Sequence, residues 1–275
     1  RQGEPDPKPR GRHQPVAVLS RPDVAIRDAG RLRARMRAER ADWTLDGRTA
    51  TLRGRARIAL AVDTPGGPRL LHVEAHQATL DLLTRTLRLD GDLRVTGPTG
   101  VVVARTASWD AQAQVLDLAA ARAEGPEVGR LRAARIRYDA RAGVVYASGH
   151  VVLAIGGWEI RADRLRYEEE TRVAYAEGAV RAAGGGRILT AAALRYDGRR
   201  GMVETTGGAR LVQGDLVVRA SVLRFWLQEG VTEAAGDVEA VQGALRLWAR
   251  GLRHDSRTGE VTADGPVSLQ RPGVR

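Results

Sequence analysis

The sequence predicts an all-β protein, a long, twisted, two-walled antiparallel meander built from about eight 29-residue two-strand repeats. Three observations carry this expectation. Residues of one kind recur at a fixed step of 29, apolar and charged residues alternate inside each repeat, and a glycine or a surplus residue breaks that alternation at matching places.

The step shows in several columns at once. Tyr138, Tyr167, Tyr196, Phe225 and His254 are 29 apart, as are Gly149, Gly178, Gly207, Gly236 and Gly265, and Ala133, Ala162, Ala191, Ala220 and Ala249. Upstream the register runs through Ala104 with Trp109 and through Ala75, Leu80 and Gly91, with Ala120 standing in a glycine slot. An earlier copy, Ala38, Trp43 and Gly54, is put out of phase by an eight-residue insertion around Pro65-Gly66-Gly67-Pro68. Such self-similarity marks an architecture in which each unit buries its apolar face against its neighbours.

Within one copy, Ile160-Arg161-Ala162 and Leu165-Arg166-Tyr167 alternate apolar and charged residues, as a strand with one buried face requires. The surplus residue between Ala162 and Leu165 reads as a β-bulge that bends the strand. Glu168 to Thr171 form a turn, Val173 to Ala182 a return strand bent at Gly178, and Gly184-Gly185-Gly186 the next turn. From Asp28 to Ala41, helix formers such as Leu32, Met36 and Ala38 compete. Apolar residues nevertheless recur at every second position there, so a strand is expected. Residues 1–15 are polar and proline-rich and read as a disordered linker.

Hydrophobic residues make up 43% of the 275 and aromatic ones 4%, so the interior is built of Val, Leu, Ile and Ala. Such walls can leave room between them. The net charge of +11 raises nucleic acid or anionic lipid as partners. Lysine occurs once, at Lys8, and arginines such as Arg161, Arg164 and Arg166 are scattered along the strands, which suits a solvated outer face. No nucleic acid is expected. The absence of cysteine excludes disulfides and thiolate chemistry. No apolar run approaches the roughly 18 residues of a membrane helix.

Catalytic constellations are not found. His72 and His76 form a close pair without a carboxylate cluster beside them, and His254 fills the aromatic column. Asp81, Asp110, Asp139, Asp197 and Asp255 follow strand ends, where Asx side chains stabilise turns. Gly184-Gly185-Gly186-Arg187 lacks the Gly-Lys-Ser/Thr and the helix of a phosphate loop. The chain is therefore expected not to be an enzyme and to need no cofactor or metal. A carbohydrate-active β-solenoid, which would need paired carboxylates on one exposed face, ranks last.

The inward positions define one strip: Val73, Leu93, Val102, Leu131, Ile136, Tyr138, Val151, Leu153, Ile160, Leu165, Tyr167, Val180, Leu189, Leu194, Tyr196, Leu211, Val218, Leu223, Phe225 and Val238. Periodicity alone leaves two meanings open. The strip is a dry core, as in a structural or adhesive β-repeat protein, or it is an accessible apolar groove.

Ala133-Ala134-Arg135-Ile136-Arg137-Tyr138-Asp139, followed by Ala147-Ser148-Gly149-His150-Val151-Val152-Leu153, resembles the repeat signature of the OstA-like (LptC/LptA) lipopolysaccharide-transport family. Residues 16–125, with Ala38, Trp43-Thr44-Leu45 and the inserted turn, look like the LptC part; residues 126–275 look like the LptA part and are expected to continue the first. The resemblance implies an open β-jellyroll shaped like a folded taco, whose strip holds the acyl chains of lipopolysaccharide or a related glycolipid. It also implies a periplasmic location and an N-terminal inner-membrane anchor absent from this chain. The implied partners, reached through edge-strand pairing, are an inner-membrane ABC-transporter complex and an outer-membrane LptD-like translocon.

Overall fold

The computed structural model describes residues 17–28, 30–126 and 129–271; the linker expected at residues 1–15 lies outside them. Along the described chain run β1 (Ala17–Ser20), β2 (Asp23–Asp28), β3 (Arg31–Arg37), β4 (Arg40–Trp43), β5 (Thr49–Thr64), β6 (Gly67–Asp81) and β7 (Thr86–Gly97). They are followed by β8 (Gly100–Asp110), β9 (Val115–Gly125), β10 (Gly129–Asp139), β11 (Val144–Ile155), β12 (Trp158–Glu168), β13 (Val173–Gly184) and β14 (Arg187–Asp197). The last are β15 (Met202–Gln213), β16 (Leu216–Ala220), β17 (Val222–Trp226), β18 (Val231–Gln242), β19 (Leu245–Asp255), β20 (Val261–Asp264) and β21 (Ser268–Gln270). The fold is all-β, an open jellyroll-like meander in one sheet. From β5 to β15 each strand pairs antiparallel with the next, including β9 with β10 from Gly125↔Gly129 to Val115↔Asp139. At the ends, β1 and β2 lie on β4 and β3, while β20 and β21 lie on β19. The segment where helix formers competed is strand, in β3 and β4.

In most ladders of long strands the register shifts where the alternation breaks. In the β11–β12 ladder Ser148 pairs with Arg164 and then Val151 with Ala162, so the register shifts across Gly149 and His150. Gly149 has φ +77°, and a Cβ placed on it would sit 2.8 Å from the Ala134 Cβ. Close approach of backbones therefore requires glycine at this corner. The odd copy behaves accordingly. Ala120, in the glycine slot, takes φ +49°, and its strand β9 pairs with β8 and β10 without any register shift.

The aligned corners divide the sheet into two walls. Along the rim of one wall lie turns led by aspartate. Asp110 Oδ1 accepts hydrogen bonds from the Gln112 and Ala113 N–H groups at 2.8 and 2.9 Å, and Asp81 Oδ1 accepts from Leu83 and Thr84 at 2.9 and 3.0 Å. Asp139, Asp197 and Asp255 cap their turns in the same way. These carboxylates hold turns, as Asx side chains at strand ends do. The rim of the other wall carries the glycine turns, such as Gly156-Gly157 and Gly185-Gly186, with left-handed backbone.

The inserted residues do not form a loose loop. They lengthen the glycine-turn ends of β5 and β6, which have 16 and 15 residues where β10, β12 and β14 have 11. The ladder continues to Thr64↔Gly67. Inward alternation persists along the extension, so Leu60 and Val62 are fully buried.

Candidate functional site

The expected strip residues fall on both walls and face one another. Ile136, Tyr138, Leu165, Tyr167, Leu194, Tyr196, Leu223 and Phe225 lie on the aspartate-turn halves of their strands. Val73, Leu93, Val102, Leu131, Val151, Leu153, Ile160, Val180, Leu189, Leu211, Val218 and Val238 lie on the glycine-turn halves. All are buried except Val102, Tyr138 and Tyr196, which are half-buried. Their outward neighbours Arg161, Arg164 and Arg166 are exposed, and cross-strand pairs such as Arg219 with Glu239 at 2.8 Å and Arg224 with Glu204 at 2.8 Å dress the outer face.

The walls are closely spaced over much of their length. Trp158 of β12 meets Phe225 of β17 across the interior, ring centroids 6.5 Å apart and planes inclined by 50°. The space left there, among Ile160, Leu189, Leu194 and Tyr196, is about 20 Å³. Further toward the N-terminus a cavity of about 110 Å³ lies between Leu71, Val102 and Leu131 on one wall and Ile136, Tyr138 and Tyr167 on the other. Nearer still to the N-terminal end is a cavity of about 430 Å³. Ligand sites occupy roughly 300–1,000 Å³, so of these three spaces the last alone has that size.

The long β5–β6 hairpin lies across the mouth between the second and third of these spaces. Pro65 packs where a Gly143 Cβ would meet its ring at 3.3 Å, and the Asp63 N–H donates to Gln114 Oε1 at 3.1 Å. Arg69 Nη1 donates to Glu169 Oε2 at 3.0 Å, and the Tyr138 hydroxyl donates to the same oxygen at 3.3 Å. Burial above all, then the neighbouring Glu169 charge, pushes the Tyr138 hydroxyl above its ordinary pKa. A strap anchored on one wall is thus latched to the turns of the other. Leu60 and Val62 on its underside occupy the slot itself. The inserted length was visible in the sequence, but its crossing and its latch partners were not.

Polar chemistry is sparse inside. Among the described residues no group of three His, Cys, Asp or Glu side chains can hold a metal ion, and His72 and His76 both point outward. His254 of β19 pairs across the ladder with Thr232 and is half-buried.

No family model matches the chain, and no curated protein matches it. Among solved structures it is similar to that of LptH from Pseudomonas aeruginosa. LptH is described as the LptA homologous periplasmic component of the conserved lipopolysaccharide transport device of that organism. Sequence identity is 14%, the match covers 41% of this chain and 93% of that one, and the TM-score is 0.38. A likeness of this size adds no argument to what the strand ladders establish.

Proposed function

We propose that the protein is a periplasmic lipid-conduit module that takes the acyl chains of lipopolysaccharide, or a related glycolipid, between its walls. The carrying observation is the continuous aliphatic lining of a two-walled slot whose end rungs, among the described residues, have no further strand laid on them. Val267 and Leu269 stand at strip positions of the last rung yet are 51% and 62% exposed, and Val18 and Leu19 of the first rung are 50% and 45% exposed. Unpaired terminal strands with exposed apolar residues are the natural seat of an added strand. In the proposed bridge, one end joins an inner-membrane ABC-transporter complex and the other an outer-membrane LptD-like translocon. Residues 16–125 act as the LptC-like part and residues 126–275 as the LptA-like part. No step of catalysis is assigned. Each methylene taken from water contributes about 0.8 kcal/mol, so several acyl chains together offset the cost of parting the walls.

A second reading is favoured by the tight contact of Trp158 with Phe225, where about 20 Å³ remains. In it the protein is a structural or adhesive β-repeat module with a permanently dry core. Substituting arginine for Val180 or Leu165 cannot separate the two, because both side chains are buried and a charge there would unfold either kind of protein. A photo-crosslinking amino acid at Ile160, and another at Leu131, can. Capture of lipopolysaccharide at both, with none at the outward-facing Arg161, is the expected result. Capture at neither inward position would leave the dry core as the correct reading.

A further inference from the structure

The cavity of about 430 Å³ lies beside the strap, in the mouth between the walls at the N-terminal end of the slot. Its floor is apolar: Met36, Leu60, Leu80, Leu87 and Trp109 are all buried. Its rim is cationic. Arg27 and Arg33 line it from one wall, and Arg85 and Arg141, in the aspartate turns, line it from the other. Two carboxylates belong to the same lining, but each is engaged. Asp63 accepts from Arg33 Nη1 at 2.8 Å, and Asp81 accepts the N–H groups of its own turn. Arg27 Nη1 donates to the Gly30 carbonyl at 3.3 Å. Arg85 and Arg141 are exposed and make no side-chain hydrogen bond or ion pair among the described residues.

An apolar floor of ligand size under a ring of guanidinium groups is complementary to one kind of molecule, an amphiphile with an anionic head. Guanidinium groups bind phosphate oxygens through paired, charge-assisted hydrogen bonds. We infer that this cavity is a head-group seat for a phosphate-bearing lipid, with hydrocarbon on Leu60, Leu87 and Trp109 and the phosphate at the rim of Arg85 and Arg141. The seat rests on the conduit reading for its place in transport, since it lies where a lipid would enter or leave the slot. Binding itself is tested separately.

Calorimetric titration of the full chain with oleoyl lysophosphatidic acid, with monoolein, and with inorganic phosphate alone tests the seat. Binding of the phosphate lipid about tenfold or more tighter than monoolein is expected, with no measurable binding of free phosphate. The double variant Arg85→Glu/Arg141→Glu should erase that preference, and Arg85→Gln/Arg141→Gln should reduce it. Arg181→Glu/Arg210→Glu on the outer face should leave it intact. Equal affinity for the two lipids, or an unchanged preference in the rim variants with the strand signal retained, would overturn the seat; so would free phosphate binding as tightly as the lipid. Crosslinking at Ile160 reports on the slot independently. Capture there with no rim effect sinks the seat alone, whereas a rim effect with no capture sinks the conduit alone.

Discussion

Arg69 Nη1 lies 3.0 Å from Glu169 Oε2, although 100 residues separate them in the chain. The contact joins the tip of the longest hairpin to a turn on the facing wall, and it explains why the slot is roofed at that point rather than open along its whole length. Both side chains are partly shielded, 29% and 17% exposed, so the pair is screened less than the outer-face arginine pairs.

Breaking this latch should loosen the strap before it unfolds the sheet. Arg69→Ala and Glu169→Ala together are expected to show a coupling of about 1 kcal/mol in a double-mutant cycle. Amide exchange should speed up first along residues 62–70. Exchange that rises equally throughout β10 to β14 would mean the contact supports the sheet and not the strap.

Wall-to-wall packing should contribute directly to stability. Phe225 is 2% exposed against Trp158, so Phe225→Ala should cost about 3–5 kcal/mol in a denaturant melt. Leu83→Ala, at a side chain 69% exposed in a rim turn, should change stability by less than about 0.5 kcal/mol. Similar losses at the two sites would contradict the facing-wall arrangement.

Two glycines with left-handed backbone should respond differently to alanine. Gly156, φ +57°, has nothing near a would-be Cβ, so Gly156→Ala carries only the left-handed penalty of about 1 kcal/mol. Gly149→Ala adds the 2.8 Å approach to Ala134 and should lose about 3 kcal/mol in all. Equal losses would show that the corner yields without strain.

Acid should weaken the fold over a defined range. Asp23 is held down to about 2, first by its hydrogen bond from Arg35. Asp42, Asp46, Asp81 and Asp255 are also lowered, first by Arg40, by the Thr44 hydroxyl, and by the turn N–H groups of Thr84 and Arg257 respectively. A carboxylate more acidic in the folded chain adds stability above its unfolded value, near 4, and loses it as pH falls toward the folded value. The denaturant midpoint should therefore stay level from about pH 7 to 5 and decline between about pH 4 and 2. Tyr138 has the opposite sign. Its raised folded pKa supports stability below about pH 10, lost as pH climbs further, so Tyr138→Phe should remove a step above the ordinary tyrosine range from an absorbance titration. A midpoint unchanged down to pH 2, or an unaltered titration, would refute these assignments.

Much of this architecture could be read from local pattern. Alternation around Ile160 and Leu165 told which side chains point inward, the Gly149 column told where strands bend, and Asp110 and its equivalents told where they turn. Each is decided within a few residues by the pleat, by backbone sterics or by a side chain reaching its own turn, so the linear order suffices. The Ala120 copy supports the point, since the one departure in the column coincides with ladders that keep their register.

Other relationships were settled only by the assembled sheet. Twist accumulates from strand to strand, so the facing partner of a residue depends on how far the walls have rotated rather than on any nearby residue. That offset brings Trp158 onto Phe225, carries Arg69 to Glu169, drives Leu60 and Val62 of the insertion into the slot, and gathers Arg27, Arg33, Arg85 and Arg141 around one mouth. Periodicity names the side chains that leave water; the width of the gap they enclose is a property of the two walls together.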